Sequence, residues 1–440
     1  MSDPTEESAH VAHIEDVVLG MKYACLSITD DEDGTLKNIG KSNPWHTEAL
    51  KMITGSEDEA YKPLSTILSN HLGLTCDKII DISGVTPGGQ PLDTQGYIAH
   101  NDETIVLSYR CSTTIRDWLT NLDTTSSEWE LEEDLAQGFA GYCSGLEGLC
   151  CGDQKPRVHT GFYNNFLSSV PLIREYIEPL LGPDQPPRKL FVVGHSLGAG
   201  IATLASCYFL LRNDWNSLPQ TFVGVTAGSP RACQGAMREV VEEQLERFRP
   251  SKTAVMFRIV LNKDVVATVP PNWFGFKHLG KLVYINNEGK ILVDALIDED
   301  TDSDHLMAIL TKEPWDESER ELGTESTYER LVKKIPRAFR DHMPDFYLKS
   351  VIQIFEKKES IDKVVMKISQ PEMRIDSPVQ APEEKKNISE DTDLLQGFKE
   401  TSPCEIKDGP SVLPVVGAKK KTVKKRLSNM FSRKSDKASS

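Results

Sequence analysis

Residues 189–200 read KLFVVGHSLGAG and carry the clearest structural signal in this chain of 440 residues. A short apolar run ends in Gly-His-Ser-Leu-Gly, and a helical pattern of small residues follows at once. This order predicts the strand, sharp turn and helix of a nucleophile elbow, in which the turn lifts a serine hydroxyl clear of the sheet. Gly194 and Gly198 would let the strand and the helix approach each other closely. Ser196 is therefore the candidate nucleophile.

Length and composition restrict the class of protein. No window reaches the ~18 uninterrupted apolar residues that a membrane span requires. The first residues, MSDPTEE, are acidic and lack an apolar core, so we expect no secretory signal. The nine cysteines follow no disulfide framework, which favours free thiols and a cytoplasmic location. The cluster at Cys143, Cys150 and Cys151 has no histidine at zinc spacing, so we predict no metal site.

Charge is distributed unevenly along the chain. The formal net charge is −16, yet residues 419–440 hold nine Lys or Arg against one acidic residue. The acidic body argues against general nucleic-acid binding. Within the segment 419–437 apolar residues recur at helical spacing: Val423, Leu427, Met430 and Phe431. A helix there would be basic on one side and apolar on the other, which favours attachment to a membrane or lipid-droplet surface. A nuclear-import signal and a solvated tail are the rival interpretations.

Sequence patterns divide the chain into three regions. Residues 1–95 indicate a mostly helical extension that packs on the core, with helices near His13–Leu26 and His46–Leu72. Residues 96–358 alternate strands and helices, which predicts an α/β fold with a mainly parallel sheet flanked by helices. Residues 359–440 lack periodicity and predict a disordered tail. In the middle region the predicted strands and helices are Thr104–Tyr109, Phe162–Leu181, Leu190–Val193, Thr221–Thr226, Val255–Leu261, Lys281–Ile285 and a last helix from Pro344.

A serine nucleophile needs a base, and the base needs an orienting carboxylate. In a sheet of this type the chain order is serine, then acid, then histidine. Asp264 follows directly after an apolar strand, where the acid is expected; a solvated turn aspartate is the alternative interpretation.

Three histidines follow Asp264 along the chain. His278 enters a strand and is assigned a structural role. His342 occupies the loop before the last helix, so we favour it as the base. His305 lies in a polar insertion and is kept as the alternative base. His195, beside the nucleophile, should point away from it on the elbow.

An acyl-transfer site also needs donors for an oxyanion. The backbone N–H of Leu197 is one candidate, and the loop after the strand at 104–109 supplies a second, to which Ser112 could add its hydroxyl. Just beyond this loop apolar residues recur at helical spacing: Ile115, Trp118, Leu119 and Leu122. A helix with that pattern is either a lid over an apolar acyl site or an ordinary surface helix.

Several short motifs occur in a fixed order: GYIA at 96–99, SYRCS at 108–112, DWL at 117–119, HTGF at 159–162, GHSLG at 194–198, GSPR at 228–231, KHLG at 277–280 and DHM at 341–343. Together they resemble the class 3 (fungal-type) lipases of the α/β-hydrolase fold, over roughly residues 96–352. Secreted members of that family carry signal peptides and disulfides, so this chain is similar to the intracellular branch.

The resemblance implies roles for individual residues. It implies that Ser196, Asp264 and His342 form a catalytic triad and that Ser112 and Leu197 form the oxyanion hole. It also implies a lid over 114–122, with Trp118 as the lid tryptophan, and structural roles for His159 and Gly161. The chain departs from the family at Cys111, where glycine is usual, and in the 78-residue separation of Asp264 from His342, which keeps His305 open as the base.

These observations predict an intracellular serine esterase that cleaves mono- or diacylglycerols through an acyl-enzyme, without a metal or organic cofactor. Phospholipase A1 activity is the nearest enzymatic alternative. A catalytically silent lipid-binding or signalling scaffold on the same fold is the alternative from another class. The expected partner is a lipid ester substrate, presented at a membrane or droplet surface.

Overall fold

The computed structural model describes residues 4–28, 44–89, 91–111, 124–130, 156–182, 184–211, 221–248, 253–286, 291–293 and 337–356. The helices are α1 (Pro4–Leu26), α2 (Pro44–Thr54), α3 (Glu57–Ala60), α4 (Leu64–Leu72), α5 (Thr160–Tyr176), α6 (Leu197–Leu210), α7 (Gly235–Phe248), α8 (Arg337–Arg340) and α9 (Pro344–Glu356). The strands are β1 (Thr75–Val85), β2 (Pro91–His100), β3 (Thr104–Tyr109), β4 (Ser126–Glu128), β5 (Arg157–His159), β6 (Lys189–His195), β7 (Thr221–Ala227), β8 (Cys233–Gln234), β9 (Thr253–Leu261), β10 (Phe276–Lys277), β11 (Lys281–Ile285) and β12 (Ile291–Val293).

A central sheet of eight strands organises the molecule, in the order β1-β2-β3-β6-β7-β9-β11-β12. The five strands from β3 to β11 are parallel, whereas β1, β2 and β12 pair antiparallel at the two sides. Parallel strands are covered on both faces and therefore appear as continuous apolar runs, as β6 does. The predicted α/β class with a mainly parallel sheet is confirmed.

Helices cover both faces of this sheet. Side chains alternate along β6, so that Leu190 and Val192 join one hydrophobic cluster while Phe191 and Val193 join the other. Helices α5 and α6 contribute to the first cluster, and α1, α2, α4 and α9 contribute to the second. The nucleophile strand is thus enclosed by core on both sides.

The N-terminal region contributes more than helices. The predicted helices lie within α1 and within the run from α2 to α4, but β1 and the first half of β2 also fall before residue 96 and extend the central sheet. Helix α1 packs directly on the sheet, where a Cβ added at Gly20 would stand 2.7 Å from the Cβ of Val225. The buried carboxylate of Asp16 pairs with Lys189 at the start of β6, at 2.7 Å.

A second, four-stranded antiparallel sheet has the order β10-β8-β5-β4. Helices α5 and α7 start directly after β5 and β8, and each leads back toward the amino end of the next central strand. The small sheet therefore lies at the carboxyl edge of the central sheet, where open α/β sheets bind ligands. Within the described residues, no helix is both long and apolar enough to cross a membrane.

Candidate active site

Ser196 stands at the sharp turn between β6 and α6. Its backbone has φ 60° and ψ −127°, a combination that L-residues rarely adopt. Two glycines allow the close approaches at this turn, of β6 to α6 and of α6 to the end of β3. A Cβ at Gly194 would lie 2.7 Å from the backbone nitrogen of Ala199, and a Cβ at Gly198 would lie 2.6 Å from the carbonyl oxygen of Arg110. The structure thus has the strand, turn and helix that the sequence predicts.

The structure brings Ser196, Asp264 and His342 together. The Ser196 Oγ lies 2.8 Å from Nε2 of His342, and Nδ1 of the same ring lies 2.8 and 2.9 Å from the two carboxylate oxygens of Asp264. Since a carboxylate only accepts, Nδ1–H donates to Asp264, which leaves Nε2 to accept the serine proton. All three side chains are at most 2% exposed, so this chain of hydrogen bonds is shielded from bulk water.

Asp264 is held by two further donors. The backbone N–H of Val266 donates to one oxygen at 2.8 Å, and the hydroxyl of Tyr347 donates to the other at 2.5 Å. The Tyr347 oxygen in turn accepts the N–H of Leu261 at 3.0 Å. Burial, and then the nearby charge of Asp264, raises the pKa of Tyr347 well above its ordinary value, so the phenol stays a donor. This role of Tyr347 was not predicted from the sequence.

His195 supports the base rather than acting as one. Its Nε2–H donates to the backbone oxygen of His342 at 2.9 Å, and the two rings lie 4.8 Å apart. Burial, and then the neighbouring His342, lowers the pKa of His195 well below its ordinary value, so this ring stays neutral. The residue before the nucleophile therefore ties the elbow to the loop that carries His342.

Asp341 joins the two loops of the site. Its carboxylate accepts the side-chain amide of Asn262 at 2.6 Å and the backbone N–H of Lys263 at 3.3 Å. Arg340 also donates to it, at 3.2 Å. These contacts connect the turn that bears Asp264 to the residue next to His342. No sequence signal points to this role beyond the position of Asp341 beside a candidate base.

The N-terminal helices brace the end of β3, which leads into the predicted oxyanion loop. Ser27 donates to the carbonyl oxygen of Tyr109 at 3.3 Å, and Nε2 of His46 lies 3.8 Å from the sulfur of Cys111. Burial raises the pKa of Cys111 to about 11, so it stays a thiol. Burial, and then the charge of Arg110, lowers the pKa of His46 to about 4.

Several predicted site residues lie outside the described part of the chain, and their roles remain predictions: Ser112, Ile115, Trp118, Leu119, Leu122, the alternative base His305 and the basic segment 419–437. Leu197 is the first residue of α6, and the first amides of a helix have no acceptor within it.

Two other histidines lie away from the nucleophile. His278 is buried and donates to the carbonyl oxygen of Ala267 at 2.8 Å. His159 packs between the rings of Phe162 and Phe276, whose centroids are 4.4 and 5.5 Å from its own. Both contacts agree with packing roles.

The chain matches a known family. Residues 106–274 match the family described as Lipase (class 3), a region that includes Ser196 and Asp264 and ends before His342. Together with the mainly parallel sheet and the elbow, this match makes the region 106–274 similar to the class 3 lipases.

Two curated relatives illustrate the match. "Phospholipase A(1) DAD1, chloroplastic" of Arabidopsis thaliana is 31% identical over 171 residues, which are 38% of this chain and 33% of the relative. "Secreted mono- and diacylglycerol lipase 1" of Fusarium solani is 28% identical over 229 residues, which are 50% of this chain and 58% of the relative. The chain thus spans about one third to three fifths of these relatives. A solved mono- and diacylglycerol lipase from Aspergillus oryzae aligns with a TM-score of 0.41 at 19% identity, covering 64% of this chain and 85% of that chain.

Proposed function

We propose that this chain is a serine carboxylic-ester hydrolase that releases fatty acids from mono- or diacylglycerols through an acyl-enzyme. One observation carries the proposal: the Ser196 hydroxyl lies 2.8 Å from an imidazole nitrogen whose partner nitrogen is bound to a buried carboxylate. A nucleophile, a base and an orienting acid in this arrangement are what ester cleavage by serine requires.

Acylation starts with Ser196 Oγ, which attacks the ester carbonyl carbon while its proton moves to Nε2 of His342. Asp264 holds the ring by Nδ1–H and stabilises the imidazolium that forms. The amide of Leu197 donates to the oxyanion, where a preorganised N–H donor is worth about 3 kcal/mol. His342 then gives its proton to the leaving glycerol oxygen, and the acyl group stays on Ser196.

Deacylation repeats these steps with water. His342 accepts a proton from a water molecule, whose oxygen attacks the acyl carbonyl. The proton then returns to Ser196 Oγ as the C–O bond breaks, and the fatty acid leaves. Every proton is carried by His342, so the steps that the described residues perform need no further titrating group.

The substrate class is proposed from the relatives. The family match and the printed names of the fungal relatives support acylglycerols as substrates. The Arabidopsis relative supports a second candidate, cleavage of a phospholipid at one acyl position. Both substrates are esters of long acyl chains and would react through the same acyl-enzyme.

A fluorophosphonate probe tests the chemistry. It phosphonylates an activated serine, so we expect labelling of the wild type, none of Ser196→Ala, and full labelling of Ser69→Ala, which changes an exposed serine in α4. A wild type that the probe does not label would favour the silent lipid-binding scaffold.

A substrate panel then separates the two enzymatic candidates. Release of fatty acid is measured from monoacyl-, diacyl- and triacylglycerols and from phosphatidylcholine under the same conditions. Faster turnover of the mono- and diacyl substrates supports the leading proposal, whereas faster turnover of phosphatidylcholine supports phospholipase A1 activity.

We also propose a cytoplasmic location with peripheral attachment to membranes or lipid droplets. The support is compositional: the scattered cysteines favour a reducing compartment, and the segment 419–437 combines basic with apolar residues.

A further inference from the structure

Two large hydrophobic side chains are exposed within the described part of the chain, Val85 at 69% and Trp273 at 55%. They belong to different elements, since Val85 ends β1 whereas Trp273 lies in a turn between β9 and β10. Large apolar groups in water raise the free energy of the free protein. Singly exposed apolar residues are common on protein surfaces, so exposure alone does not assign these two a role. Their placement relative to Ser196 therefore bears on function.

Val85 projects from the edge of the sheet that bears Ser196. Gly96 of β2 pairs with Tyr109, the last residue of β3, and five residues earlier Pro91 pairs with Val85. Strands β1 and β2 form a hairpin, and at 3.3 Å per residue this hairpin extends about 16 Å past the end of β3. Strand β3 runs parallel to β6, which leads into Ser196. The hairpin tip thus extends beyond the carboxyl edge of the sheet.

The hairpin tip carries no charge. Residues 82–92 read ISGVTPGGQPL, and Val85, Pro87 and Pro91 are exposed. Charged residues make up 26% of the chain, so a stretch of this length would carry about three of them on average. An exposed tip without charge suits contact with a surface that has no net charge.

The loop that leads to Trp273 is anchored on a buried arginine. The buried guanidinium of Arg231 donates to the carbonyl oxygens of Thr268 and Pro270, at 2.5 and 2.9 Å. The Trp273 ring lies 6.2 Å from the ring of Phe274. This loop follows the turn that bears Asp264 and leads into β10 of the small sheet, so it too lies at the carboxyl edge.

The strands that lead to the two exposed side chains lie on opposite sides of β6, the strand that ends at the nucleophile. Strand β6 is three strands from β1 and two from β9. At 4.8 Å per strand these separations are about 14 and 10 Å along the sheet. Val85 therefore belongs to a strand on one side of β6, and Trp273 follows a strand on the other side, both at the carboxyl edge where Ser196 lies.

We propose that the hairpin tip, residues 82–89 and 91–92, and Trp273 form the surface by which this chain binds a lipid layer without net charge, such as phosphatidylcholine. The proposal rests on the proposed function and extends it to the orientation of the site toward its substrate. A tryptophan suits the boundary of such a layer because its ring is apolar while its N–H stays near polar head groups. Outside residues 419–440 acidic residues outnumber basic ones, so the part of the chain that carries this surface favours neutral over anionic layers.

Vesicle flotation tests this surface. The full chain, carrying Ser196→Ala so that no lipid is consumed, is mixed with phosphatidylcholine vesicles that contain diacylglycerol. We expect Trp273→Ala and Val85→Asp each to lower the partition coefficient about tenfold. Asp102→Ala, an exposed change in the β2–β3 turn at the opposite edge, serves as the matched control and should bind unchanged. Binding should persist from about 0.1 to 0.5 M salt, because it does not depend on charge.

Turnover of a soluble short-chain ester separates this proposal from the proposed function. With Ser196 intact, Trp273→Ala and Val85→Asp should keep the wild-type rate on that ester while losing vesicle binding. Three results would each overturn the proposed surface. Both variants could bind vesicles as the wild type does, or salt could abolish the binding. The third result is that the variants lose turnover of the soluble ester along with vesicle binding. A wild type that floats with vesicles but cleaves no ester would overturn the proposed function alone.

Discussion

At the scale of single residues, Gly228 shows how closely the base and the acid are packed. It has φ +55°, and a Cβ there would lie 2.7 Å from an oxygen of Asp264 and 2.9 Å from Nδ1 of His342. We predict that Gly228→Ala displaces this pair and lowers kcat on a soluble ester at least ~100-fold, the size expected for a shift of about 1 Å. Gly73→Ala is the control, because Gly73 has φ +63° with nothing within 4 Å of the added Cβ. Equal losses in both variants would show that backbone strain, and not the contact with the pair, is responsible.

Tyr347 provides a second test at this scale. Tyr347→Phe keeps the ring but removes the donor to Asp264 and the acceptor for the N–H of Leu261. A hydrogen bond to a charged group contributes about 1.5–3 kcal/mol, so we expect kcat to fall roughly tenfold to a hundredfold with KM little changed. The control is Tyr208→Phe, whose hydroxyl donates to Glu178 away from the site. An unchanged kcat would mean that Asp264 is held sufficiently by Val266 and His342.

At the scale of elements, helix α2 makes stability depend on pH. The pKa of His46 falls from 6.5 to about 4 on folding, because the ring is buried near Arg110. In the unfolded chain His46 therefore binds a proton as the pH falls below about 6.5, whereas in the folded chain it does so only below about pH 4. The contribution of His46 to the stability of the folded chain is complete above pH 6.5 and is lost as the pH falls from 6.5 toward 4.

We therefore predict that His46→Gln, which cannot titrate, loses less stability on acidification than the wild type. From pH 7 to pH 5 the difference should be about 2 kcal/mol, measured as the change in the free energy of urea unfolding. His195 remains in the variant and keeps part of the pH dependence, since burial lowers its pKa too. Parallel slopes in the two proteins would contradict a buried neutral His46.

How far the elements could be predicted from sequence depended on whether their signal was local. Strand β11 was predicted with the bounds that the structure shows, and β6 and the elbow were predicted because apolar residues and glycines stand next to each other in the chain. Strand β1 was missed, since it lies at the side of the sheet and buries only Ile80 fully. Its stability comes from pairing with β2, which a short window of sequence does not show.

At the scale of the whole molecule, residues far apart in sequence form the site. Ser196 and His342 are 146 residues apart, yet the order of residues along the chain favoured His342 as the base that meets Asp264 and left His305 open as the alternative. The supporting roles of Tyr347, His195 and Asp341 could not be predicted, because each depends on the angle at which one loop packs on another. The contacts by which the N-terminal helices brace β3 could not be predicted either, because they are set by tertiary packing alone.

The segment 419–437 leads to a prediction of a different kind, since its expected effect is electrostatic. Each basic residue near an anionic surface contributes about 1 kcal/mol, so deleting 419–440 should abolish binding to phosphatidylserine vesicles at low salt. Binding to phosphatidylcholine vesicles should persist, because the hairpin tip and Trp273 are retained. The matched control replaces every Lys and Arg of 419–437 by Gln and keeps the apolar residues; it should behave like the deletion. If the wild type shows no preference for phosphatidylserine while a fusion of 419–440 carries a fluorescent protein into the nucleus, the segment is a nuclear-import signal instead.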